Sequence, residues 1–136
     1  MSYVFLCSMG ANLAPEQNFA KAREQLSRLG HTTYSRSAYT QPVAIDTDKQ
    51  FLNALFLIET ELDAVALKAA FNQIEESLGR DRSDPLCSQK DRPMDIDILG
   101  ELNAEDNATA WQQVPDYLQA MSASLKRVAE QMEAIA

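Results

Sequence analysis

A chain of 136 residues is long enough for one domain with a sizeable core, and 46% hydrophobic with 7% aromatic residues fits a globular protein rather than a disordered one. A formal charge of -8 argues against general affinity for nucleic-acid backbones or anionic membranes, though an anionic ligand can still bind where the few basic residues gather. Cys7 in an apolar run and Cys87 in a polar loop form neither a disulfide framework nor a CxxC metal site, and no run approaches the roughly 18 apolar residues of a membrane span.

The first residues, MSYVFLCSMG, lack the basic start and long apolar core of a signal peptide, so a soluble cytoplasmic protein is the expectation. Within them SYVFLCSM (2–9) is β-branched and aromatic, as a strand requires, and GAN follows as a turn signal. Phe19, Ala22 and Leu26 recur at helical spacing, which predicts a helix over 14–29 closed by Gly30. HTTYSRSAYT (31–40) alternates weakly and suits a strand, and Pro42 breaks the chain into a loop over 41–49.

QFLNALFLIETEL (50–62) is the strongest strand. Phe51, Asn53, Leu55 and Leu57 lie on one face, with Leu52, Ala54, Phe56 and Ile58 on the other. Asp63 suits the N-cap of a second helix whose buried stripe is Leu67, Ala70, Phe71, Ile74 and Leu78, ended by Gly79. A polar loop spans 80–92. RPMDIDIL then places Met94, Ile96 and Ile98 on one strand face and Asp95 and Asp97 on the other. The order β-α-β-β-α-β predicts one ferredoxin-like α+β domain over 1–136: an antiparallel sheet with both helices on one face. Residues 101–110 read as an exposed loop. Residues 114–136 read as a C-terminal helix, with Pro115 and Asp116 near its start and Leu118, Met121, Leu125, Val128 and Met132 as packing positions.

Two carboxylates side by side repel each other and resist burial, so their face either meets water or holds something positive. Four of the 12 basic residues, Arg80, Arg82, Lys90 and Arg92, fall just before them. Arginines bind phosphate bidentately, and a carboxylate pair suits Mg²⁺, which prefers oxygen ligands and keeps much of its water. A magnesium–nucleotide polyphosphate would need that combination; a solvated face, with Arg92 pairing one aspartate, is the alternative. Asn53 interrupts an apolar strand, where its amide either bonds neighbouring backbone or reads the edge of a heterocycle. Glu75 is either a surface residue or a carboxylate facing the same cleft. His31, the one histidine, reads as structural or exposed.

In chain order, GANL (10–13), AYTQPV (38–43), QFLNALFLIET (50–60), IEESLGRDR (74–82) and RPMDIDIL (92–99) resemble the motifs of 6-hydroxymethyl-7,8-dihydropterin pyrophosphokinases. The resemblance implies a ferredoxin-like fold and transfer of pyrophosphate from ATP to the pterin hydroxymethyl group, releasing AMP, in folate biosynthesis. It implies two Mg²⁺ ions on Asp95 and Asp97, and phosphate contacts from Arg80, Arg82 and Arg92, with Arg82 and Arg92 counted with the aspartates as catalytic. It also implies ATP contacts from Glu75 and Tyr117, and a pterin pocket of Gln41, Pro42, Phe51 and Asn53. ATP and the pterin are the implied partners, with no nucleic acid or membrane. The sequence departs from the pattern at Gln41, Val43 and Ala44, and WQQVPDY (111–117) keeps only valine, proline and tyrosine, with Trp111 and Asp116 at the arginine and histidine positions. The chain thus reads as a divergent, C-terminally shortened member. The alternative is a weak or inactive homologue that binds a pterin, a nucleotide or a protein partner.

Overall fold

The computed structural model describes residues 2–40, 51–79, 93–102 and 108–114, with 118, 119, 122, 123, 125–127 and 129. Its elements are β1 (Tyr3–Ala11), α1 (Pro15–Ser27), β2 (His31–Tyr34), β3 (Ala38–Thr40), β4 (Phe51–Thr60), α2 (Ala64–Ser77), β5 (Asp95–Glu101) and α3 (Ala108–Gln112). The strands form an open antiparallel sheet in the order β2-β4-β1-β5, with β3 also paired to β4. This is the ferredoxin-like order, in which each helical connection skips one strand position.

The alternation of β4 decides what each face touches. Ala54, Phe56 and Ile58 join Phe5, Cys7 and Met9 of β1 under Phe19, Ala22 and Leu26 of α1 and Leu67, Phe71 and Ile74 of α2. Phe56 meets Phe71 nearly edge-on, with ring centroids 6.1 Å apart, and both rings are fully buried. Each such burial stabilises the fold by roughly 1.5–3 kcal/mol. Asp63 caps α2 by accepting a hydrogen bond from Ala66 N at 2.8 Å, and Gly79 leaves it at φ +111°, as the sequence predicts. On the other face Leu6, Leu55, Leu57 and Leu102 pack with Ala110, Val114, Leu118, Leu125 and Ala129.

Three local expectations are corrected. The strand read over 31–40 divides into β2 and β3. Tyr34 pairs with Phe56 and Ala38 with Asn53, so four steps on one side span three on the other. The surplus residue is accommodated at Ser35, which donates its N–H to Leu55 O and accepts from Leu55 N with Oγ. The loop read over 101–110 contains the end of β5, buried Leu102 and the start of α3. α3 lies so close to β5 that a Cβ on Gly100 would come 2.6 Å from Ala110 Cβ. A bulge at Leu99 brings Gly100 to that face, because Cys7 pairs with Ile98 but Leu6 with Gly100. Finally, α1 ends at Ser27 rather than at Gly30; a Cβ on Gly30 would collide with the Glu59 carbonyl, so close packing is its role. In the C-terminal segment Leu118 and Leu125 are buried as expected, whereas Pro115, Asp116, Met121, Val128 and Met132 lie outside the described residues.

Candidate active site

β5 is an edge strand, bonded to β1 on one side. Ile96 is buried in the helix-side core, so alternation turns half-buried Asp95 and Asp97 to the opposite face. The register pairs Asp95 with Gly10 and Asp97 with Ser8. It also sets Asn53 opposite both Gly10 and Ala38. One row therefore crosses four strands: Ala38, Asn53, Gly10, Asp95. Two strand spacings separate Asn53 from Asp95, roughly 10 Å.

Gly10 keeps that row open. A Cβ there would come 2.8 Å from Asn53 Oδ1, so the amide occupies space that any side chain at position 10 would claim. Asn53 is buried and its Nδ2 donates to Phe51 O at 3.2 Å, which orients the amide. Of the two alternatives for Asn53, the bond to neighbouring backbone is present.

Glu75 is wholly buried, which removes the surface alternative for it. Its Oε2 accepts from Ile96 N at 2.7 Å. Lys68 reaches the carbonyl of the same residue: Nζ donates to Ile96 O at 3.0 Å and to Asp97 Oδ1 at 3.1 Å. Lys68 and Glu75 stand seven apart and so share one face of α2. Together they satisfy the outward N–H and C=O of an edge residue, which would otherwise invite pairing with another chain. Lys68 is the residue that sequence reasoning missed. Its one signal was that seven-residue spacing from Glu75 along the flank of the buried stripe.

Two further groups bear on the site's electrostatics. The Cys7 thiol, inside the helix-side core, is pushed well above its ordinary value, first by burial and then by Asp97, with Lys68 opposing. It stays a neutral, inert thiol at neutral pH. An open groove of about 570 Å³ between α2 and β5 is bordered by Val65, Lys68, Asn72, Asp97 and Ile98. His31 is exposed, as read. Trp111 packs against the second core, so the tryptophan at the departed position is a packing residue.

Gln41, Pro42, Arg80, Arg82, Arg92 and Tyr117 lie outside the described residues. The flanks of 80–92 do meet: a Cβ on Gly79 would come 4.0 Å from Pro93 Cγ. The described residues on either side of 80–92 therefore lie together, two residues before Asp95. Phe51 is half-buried at the start of β4, on the same face as Asn53. Among the described residues no group of three or more His, Cys, Asp and Glu could hold a metal, so the described residues offer a cation the two carboxylates of Asp95 and Asp97 alone. A half-exposed carboxylate pair fits Mg²⁺ on those terms.

An antiparallel ferredoxin-like sheet with α1 and α2 on one face defines an α+β protein, and its sequence relatives define a transferase. The family model for 7,8-dihydro-6-hydroxymethylpterin-pyrophosphokinase matches residues 6–123. Two 2-amino-4-hydroxy-6-hydroxymethyldihydropteridine pyrophosphokinases of Porphyromonas gingivalis, from strains ATCC 33277 and W83, are each 33% identical over 102 residues, covering 73% of this chain and 69% of theirs. The chain belongs to the 7,8-dihydro-6-hydroxymethylpterin pyrophosphokinase family, enzymes of folate biosynthesis. No helix among the described residues is long and apolar enough to cross a membrane.

Proposed function

We propose that the chain, acting as one domain over 1–136, transfers pyrophosphate from ATP to 6-hydroxymethyl-7,8-dihydropterin. The pterin hydroxymethyl oxygen attacks the β-phosphorus and loses its proton, the bond from that phosphorus to the α-phosphate oxygen breaks, and AMP leaves. The observation that carries this reading is the cross-strand row: an amide and a carboxylate stand roughly 10 Å apart over a bare glycine. That spacing suits a heterocycle held at one end and a polyphosphate at the other.

In this reading Asn53 bonds the pterin edge while Phe51, Gln41 and Pro42 complete its pocket. Asp95 and Asp97 hold Mg²⁺, two ions by analogy with the family, and the metal supplies charge neutralisation and alignment of the triphosphate. Arg80, Arg82 and Arg92 add positive charge to the phosphates from the segment whose described flanks lie together near Asp95. Glu75 acts on the nucleotide side by holding β5 in register, and Tyr117 contacts ATP. The groove beside Asp97, apolar at Val65 and Ile98, offers a place for a flat base. A chain that consumes ATP works where ATP is, which is the reason to place it in the cytoplasm.

The second reading, a homologue that binds these ligands without turnover, is favoured by one observation: Asp97 already has a cationic partner in Lys68. The test is AMP release from ATP and Mg²⁺ with and without the pterin. Pterin-dependent AMP establishes the pyrophosphokinase. Nucleotide binding without AMP establishes the second reading.

A further inference from the structure

We propose that Lys68 is a built-in counter-ion for Asp97 that a divalent cation must displace, so that it sets how weakly the nucleotide-free chain takes metal. This rests on reading Asp97 as a metal ligand. The geometry makes the two occupants alternatives. Lys68 Nζ lies 3.1 Å from Asp97 Oδ1, a distance at which the ammonium occupies the oxygen that a cation would use. The ammonium is anchored independently by Ile96 O at 3.0 Å, so leaving Asp97 does not strip it of partners. Both side chains are accessible, at 40% and 50%, and water can take over either bond.

The electrostatic consequence follows from charge alone. Asp97 brings a negative charge to the metal position, and Lys68 sets a positive one directly against it. A metal entering without nucleotide must break the ion pair and then sit beside the displaced ammonium. A metal arriving with a triphosphate brings its own negative charge, which offsets that repulsion. The chain is thereby biased toward taking metal and nucleotide together. An accessible ion pair is worth up to about 1 kcal/mol, or roughly fivefold, and removal of the neighbouring cation adds to it, so about five- to tenfold is the expected gain in metal affinity without Lys68.

The experiment is Mn²⁺ binding to the nucleotide-free protein at fixed ionic strength, followed by loss of the free Mn²⁺ spin-resonance signal. Wild type, Lys68→Met, Lys68→Arg and Asp97→Asn are compared, each checked for fold by circular dichroism. The expected result is about five- to tenfold tighter binding in Lys68→Met, wild-type binding in Lys68→Arg and weakened binding in Asp97→Asn. If Lys68→Met binds no tighter while Asp97→Asn binds more weakly, Lys68 is not a competitor and the metal reading stands without it. Equal tightening in Lys68→Arg and Lys68→Met overturns the charge argument. Unchanged Mn²⁺ binding in Asp97→Asn, or none in any variant, overturns both the competitor and the metal assignment.

Discussion

Glu75→Ala separates a structural duty from a nucleotide-binding one. Glu75 has no solvent exposure, and its Oε2 accepts the outward N–H of Ile96 at 2.7 Å. Truncation leaves a buried N–H on an edge strand without that acceptor and opens space inside the α2–β5 contact. A hydrogen bond to a charged group contributes about 1.5–3 kcal/mol, and the missing side-chain volume adds to the loss, so about 2–4 kcal/mol is expected. With a urea dependence of about 1–3 kcal/mol per molar, the unfolding midpoint falls by about 1–2 M. Glu75→Gln keeps an acceptor oxygen in place and costs less than half as much. The assay is equilibrium urea unfolding of the ligand-free protein, where nucleotide contacts contribute nothing. A loss under about 0.5 kcal/mol in Glu75→Ala, the range of an ordinary surface change, would refute the argument that this side chain fixes β5.

At position 10, alanine pushes against Asn53 Oδ1 and not against backbone. Gly10→Ala is therefore expected to weaken pterin binding at least tenfold, by fluorescence titration, with under about 2 kcal/mol lost in unfolding experiments. Gly100→Val drives a larger side chain into Ala110 and separates α3 from β5; thermal unfolding should show a loss of about 1–3 kcal/mol or more. Cys7 gives a pH signature. Its folded thiol ionises well above the ordinary value of 9.0, so the unfolded state loses its proton first and stability falls as pH rises past about 9. The difference in urea stability between wild type and Cys7→Ala should be flat from pH 6 to 8 and should shift against wild type by pH 10.5; a flat difference throughout would show that Cys7 ionises alike in both states.

The sequence by itself determined whatever depends on near neighbours along the chain. Period-two alternation in 51–60 assigned both faces of β4, and helical spacing from Leu67 to Ile74 fixed the buried stripe of α2. Asp63 and Gly79 marked its ends, because capping and left-handed turns are satisfied within a few residues. The Asp95/Asp97 pair was equally legible as two carboxylates on one strand face. The family motifs supplied the fold and the chemistry together. The tertiary structure decided what depends on register. Whether 31–40 is one strand or two was settled by Ser35 bonding Leu55, twenty residues away. The helix α3 became visible only because bulged β5 turns Gly100 toward it. Asn53, Gly10 and Asp95 come from three separated segments, and only strand pairing sets them in one row. Lys68 has no meaning in the sequence, where it is one cation on a helix. It acquires one when α2 packs along the sheet edge and carries its ammonium to Asp97, since a charge acts on what is near it in space rather than in the chain.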